Sequence, residues 1–161
     1  MNEELSGHMA NEPSADRGPA HPPGQELPPY PDLSLTLPAR AENVAVVRHA
    51  IGGLGEALEI DDQTLSDVKL AVTEACTNAV VHAYPDSEGP LEVAAYVSAD
   101  RLMLVVRDDG RGIVPRTDSP GLGLGLPLIA TLAEALELGT DDAERTEVRM
   151  TFRLTAEDVA A

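Results

Sequence analysis

Asp67-Val68-Lys69-Leu70-Ala71-Val72-Thr73-Glu74-Ala75-Cys76-Thr77-Asn78-Ala79-Val80-Val81-His82-Ala83-Tyr84 contains neither Gly nor Pro and is dense in Ala, Leu and Val. A run of this length with nothing to break the backbone ladder predicts a helix. On a 3.6-residue period, Leu65, Val68, Val72, Cys76, Ala79 and Ala83 fall on one side, the expected core face. Glu74, Asn78 and His82, spaced four apart, form a polar stripe on roughly the opposite side. A solvated helix face explains most such rows. The sharper alternative is a functional row, with a carboxylate as general base and an amide oxygen one turn later as a metal ligand. The stretch alone leaves both readings open.

Around this helix lies a chain of 161 residues, suited to one domain plus a tail. Apolar residues make up 43% and aromatics 2%, so the expected core is aliphatic. Twenty-eight acids against 11 bases give a formal net charge of −17. Such a surface repels phosphate backbones and anionic lipid, which argues against direct nucleic-acid or membrane binding. It suits a basic protein partner, though acidity is also a general solubility device. Cys76 is the single cysteine, sits on the apolar face and reads as a buried structural thiol. No apolar run approaches a membrane span and no signal pattern opens the chain, so a cytoplasmic location is expected.

Residues 1–31 carry seven prolines among Gly, Ser, Asn and acids, and read as a disordered tail. The folded domain is expected over 32–156, with 157–161 as a C-terminal tail. Leu33 to Leu37 alternates apolar and polar as a half-buried strand does, and Pro38 ends it. A first helix is expected from Glu42 to Leu58, weakened by Gly52, Gly53 and Gly55. Asp61 or Asp62 caps the second. Leu91–Ser98 and Arg101–Arg107 read as a hairpin about Ala99-Asp100. A third helix opens at the glycines 121–125 and runs to about Ala135. Strands at Leu136–Leu138 and Glu147–Leu154 close the domain. That order predicts an α+β two-layer sandwich, a mostly antiparallel mixed sheet covered on one face by helices.

Two glycine-rich boxes follow the helix. Asp108-x-Gly110-x-Gly112 directly succeeds the apolar strand Leu102–Val106, so the sheet fixes the carboxylate while the glycines admit a ligand close to backbone. Gly121-x-Gly123-x-Gly125 precedes an apolar helix, and its free N–H groups and positive helix end suit phosphate. Each box alone is a weak signal. A dinucleotide-binding assignment fails because no βαβ unit surrounds the glycines, and a Walker loop fails for want of Gly-Lys-Ser/Thr.

Taken in order, Glu74-x-x-x-Asn78 on a helix, D-x-G-x-G after a strand and G-x-G-x-G before a helix resemble the GHKL ATPase superfamily. The phrase from Leu70 to Tyr84 is most similar to the N box of the stand-alone anti-sigma factor serine/threonine kinases of bacterial partner-switching systems. The likeness covers Leu33 to Leu154. It implies a two-layer GHKL ATP-binding fold using ATP and Mg²⁺. Glu74 then matches the general base that deprotonates a partner's hydroxyl, and Asn78 the Mg²⁺ ligand. Asp108 matches the carboxylate that accepts from the adenine amino group, with Gly110 and Gly112 as the adenine-side wall. Gly121, Gly123 and Gly125 match the glycines around the phosphates, with Arg116 and Thr117 in the lid. Arg48 falls where the family has a partner-contacting arginine. His82 occupies a recurrent position with no assigned role. The implied partners are a sigma factor and an anti-sigma factor antagonist, with a homodimer possible.

Two other functions compete. A non-catalytic module could use ATP only to choose which partner it holds, although such a module needs no base and Glu74 is present. A histidine-kinase catalytic domain would act on a separate phosphoacceptor. Against it, the composition of the N-terminal segment supplies no dimerisation helices.

Overall fold

The computed structural model describes residues 27–110 and 125–154. The elements are β1 (Leu33–Pro38), α1 (Ala41–Ala57), α2 (Asp62–His82), β2 (Pro90–Val97), β3 (Arg101–Asp108), α3 (Gly125–Leu132), β4 (Ala135–Thr140) and β5 (Thr146–Arg153). The strands form one five-stranded sheet ordered β1-β2-β3-β5-β4. Every pairing among them is antiparallel, so the expected mixed sheet is a purely antiparallel one.

Pleating divides the sheet's residues between two faces. Leu91, Val93, Leu102, Leu104, Val106, Val148 and Met150 point to the helices, where they join Val47, Ile51, Val68, Val72 and Cys76 in one aliphatic core. Burial pushes the Cys76 thiol up to about 12, which fits an inert core group rather than a nucleophile. Val68, Val72, Cys76, Ala79 and Ala83 are buried as the periodicity requires, and Leu65 packs against them half-buried.

Local chemistry sets the helix ends. Asp61 caps α2, its side chain accepting from the Thr64 N–H at 2.9 Å. The three glycines do not end α1 early. It runs to Ala57 and closes where the Ile60 N–H reaches the Gly55 carbonyl and the Glu59 N–H reaches Glu56. This Schellman closure puts Glu59 in the left-handed region at φ 56°, where glycine is usual. Helix α3 ends at Leu132, short of the expected Ala135. The Glu134 N–H is taken by the Thr151 carbonyl at 2.8 Å and draws the chain into β4, which is longer than expected in both directions.

The other sheet face carries Ala94, Met103 and Val105, with Leu27 and Tyr96 packed over them. Leu27 falls within the tail expected from composition, yet it lies on this cluster. Residues 1–26 of the expected tail, and the C-terminal tail, lie outside the described residues. Among the described residues, no helix is long and apolar enough to cross a membrane.

Candidate functional site

Helix α2 supplies the two polar residues of the N box. Glu74 and Asn78 are half-buried at successive turns of its polar stripe, beside α3. Among the described residues, neither side chain forms a hydrogen bond or ion pair. The start of α3 closes over them. A methyl group on Gly125 would lie 3.1 Å from Asn78 Nδ2, 3.3 Å from Asn78 Oδ1 and 3.5 Å from Glu74 Oε2. The third glycine of the second box therefore adjoins both N-box side chains, across more than forty residues of sequence. Any larger residue there would crowd the amide and the carboxylate.

The first glycine box sits at the C-terminal exit of α2, beyond Asn78. Asp108 ends β3 on the helix-facing side of the sheet, opposite Leu91 on β2 and Thr146 on β5. It is buried, and its Oδ1 accepts the Gly110 N–H at 2.9 Å. Burial raises its pKa above the usual aspartate value, the Gly110 N–H opposes that shift and the nearby Asp109 charge adds to it. Gly110 must be glycine because its α-carbon rests on the end of α2. A Cβ there would come 2.3 Å from the Ala83 carbonyl oxygen, a backbone atom with no room to yield.

Of the other expected site residues, Arg48 is exposed on α1 and His82 is half-buried as the last residue of α2. Neither touches the Glu74–Asn78–Gly125 group through a hydrogen bond. Gly112, Arg116, Thr117, Gly121 and Gly123 lie outside the described residues. Sequence reasoning missed Thr146, a buried hydroxyl residue directly opposite Asp108 on the same sheet face. The missing signal was strand register, since only the β3–β5 pairing brings positions 108 and 146 together.

A single helix thus holds a carboxylate and an amide with no hydrogen-bonding partner among the described residues next to a glycine helix start, and its C-terminal exit abuts Gly110, which donates to the buried Asp108. The histidine kinase-like ATPase domain model matches residues 37–152, from the end of β1 to the penultimate residue of β5. The chain belongs to this family. The curated relatives include the serine-protein kinase RsbW of Halalkalibacterium halodurans, 35% identical over 124 residues, covering 68% of this chain and 76% of that protein. RsbW of Bacillus cereus is 32% identical over 145 residues, covering 81% and 89%. Among solved structures, the RsbU and RsbW domains of a Mycobacterium tuberculosis protein align with a TM-score of 0.61 at 25% identity, covering 76% of this chain and 32% of that one. The resemblance drawn from the three sequence boxes holds, in both family and fold.

The site's chemistry fits the group this family binds. Gly125 leaves free the place a Cβ would take beside an amide oxygen suited to a hard cation and a carboxylate with no partner among the described residues. The buried Asp108 keeps one oxygen free of protein donors among the described residues, as an acceptor for a ligand N–H would.

Proposed function

We propose that this chain is an ATP-dependent protein serine/threonine kinase of the anti-sigma factor type, acting in the cytoplasm. On this reading it holds a sigma factor and phosphorylates an antagonist on Ser or Thr. The observation that carries the proposal is the convergence of Gly125 on Asn78 and Glu74. Family membership and two relatives named serine-protein kinase support it.

Each residue then has one task. The Asp108 carboxylate accepts from the exocyclic amino group of adenine, and Gly110 keeps the wall beside it thin. The N–H groups at the start of α3 receive phosphate oxygens. Asn78 offers its amide oxygen to Mg²⁺. When bound, the ion supplies neutralisation of phosphate charge that this acidic chain is poor in cations to provide. Glu74 takes the proton from the incoming hydroxyl as its oxygen bonds to the terminal phosphorus and the bond to the ADP oxygen breaks. Arg48, exposed on α1, contacts the protein partner. Gly112, Arg116, Thr117, Gly121 and Gly123 complete the wall and lid.

Calorimetry tests the nucleotide half. Asp108→Ala is expected to weaken ATP binding at least about tenfold, the size of a hydrogen bond to a charged group. Unchanged affinity overturns the assignment. Affinity capture from the native host, with ATP against ADP and mass spectrometry of any phosphorylated protein, tests the partner half. A sigma factor and a small phosphorylated antagonist are the expected captures. Retention of a partner without phosphate transfer would favour the ATP-gated binding module.

A further inference from the structure

We propose that Tyr84 is a positioning residue that locks the Asp108 turn to the end of α2, and so contributes to the preference for adenine. The inference rests on the reading of Asp108 as the adenine acceptor.

Tyr84 is the second residue beyond α2. Its Oη accepts the Asp109 N–H at 2.7 Å and donates to the Pro90 carbonyl at 2.7 Å. These two backbone groups lie just outside the β2–β3 ladder, whose last pair is Leu91 with Asp108. One phenol therefore continues the pairing of the two strands for a further step. The ring reaches this place because residue 89 is glycine: a Cβ there would come within 2.0 Å of it. The preceding residue acts on the same turn from its other side, since Gly110 rests against the Ala83 carbonyl. Consecutive residues of the α2 exit thus hold the two residues that follow Asp108, and the second of these, Gly110, donates back to the Asp108 carboxylate.

The same helix carries Asn78 and Glu74, the latter about 15 Å of helix axis before Tyr84. Fixing the Asp108 turn to the exit of α2 thereby fixes the distance between the two ends of the site. Burial, with the charges of Asp108 and Asp109, raises the Tyr84 pKa, and the Asp109 N–H opposes this. The phenol stays protonated at neutral pH and serves as donor and acceptor at once. With the hydroxyl gone, the Asp109 N–H and the Pro90 carbonyl have no side chain to bridge them, and the carboxylate loses its fixed direction while remaining present.

The test compares ATP with purine riboside triphosphate, which lacks only the amino group that Asp108 would bind, by calorimetry with Mg²⁺ on the full chain. The wild type is expected to prefer ATP. Tyr84→Phe should lose about threefold to tenfold of its ATP affinity, the worth of a hydrogen bond, and none for the analogue. Its preference shrinks accordingly, at a temperature well below both melting temperatures, where both proteins are fully folded. Full retention of the preference overturns the role of Tyr84. An equal loss for both nucleotides also overturns it, because a general loosening of the fold does not distinguish the bases. A wild type that binds both nucleotides equally, or neither, overturns the reading of Asp108 itself. Should Tyr84→Phe not fold, hydrogen exchange of the wild-type Asp109 amide decides: greater slowing by ATP than by the analogue is expected, and equal slowing overturns the proposal.

Discussion

Arg107 and Asp108 are neighbours at the end of β3 and face opposite sides of the sheet. On the outer side, Arg107 lies between its cross-strand partners, with Nε 2.6 Å from Glu147 and an Nη 2.7 Å from Glu92. Arg145 ties Glu92 to Asp141, and Arg149 meets the second oxygen of Glu147. Burial would raise the Glu92 carboxyl, but the two arginines outweigh it and hold the group below its usual value. This patch is closed, since its charges satisfy one another. On the helix side, Asp108 has a single backbone donor, and Glu74 and Asn78 have no hydrogen-bonding partner among the described residues. That side carries charge and hydrogen-bonding capacity that the described residues do not use. The contrast separates charges that hold the domain together from the groups that the proposed function assigns to a ligand.

Substitutions on the two sides should therefore fail differently. The largest effect is expected at Glu74. Glu74→Gln should slow phosphate transfer about a hundredfold or more, the usual loss for a removed general base, with ATP affinity and unfolding midpoint unchanged. Radiolabelled transfer and calorimetry read the two quantities separately. Arg107→Ala comes next and acts on stability, because it leaves Glu147 and Glu92 without their main counter-charge. A loss of about 3–5 kcal/mol in urea unfolding is expected, as for broken buried ion pairs. An exposed pair such as Arg40–Glu88 should cost less than about 1 kcal/mol by the same measurement.

Asp108→Asn sharpens the comparison from the other direction. The folded carboxyl pKa is raised, so the stability this group contributes is complete below the ordinary aspartate value and is lost as pH rises through the folded value. The nucleotide-free variant should consequently melt above the wild type at pH 7, with the gap closing toward pH 4. A site residue that stabilised the fold would give the opposite order. The smallest response is expected from Cys76, whose buried, un-ionised thiol should not react with Ellman's reagent at pH 8 until the protein is unfolded.

Most of the architecture could be read from hydrophobic period and breakers, because both report local burial. The alternation of Leu33, Leu35 and Leu37 and the uninterrupted α2 gave their elements within a residue or two. The end of α3 was misplaced because its stop comes from the Thr151 carbonyl, which lies in a distant strand. Glu59 was unreadable as a helix terminator, since the Schellman closure forms around a residue that does not favour it. At the site, the boxes gave Glu74, Asn78, Asp108 and the glycines as residue types in order. Their distances, the register that sets Thr146 opposite Asp108, and the bridge made by Tyr84 are products of tertiary contact. No local pattern encodes them.

Leu27 packs on the face of the sheet opposite the three helices. At Leu27 the polypeptide therefore lies on the side of the sheet away from Glu74 and Asn78. An affinity handle, fluorophore or fused domain joined directly at Leu27 would start on the blind side of the sheet. Immobilisation through a handle joined directly at Leu27 should accordingly leave the helical surface available to soluble partners, which makes it the preferred orientation for binding measurements.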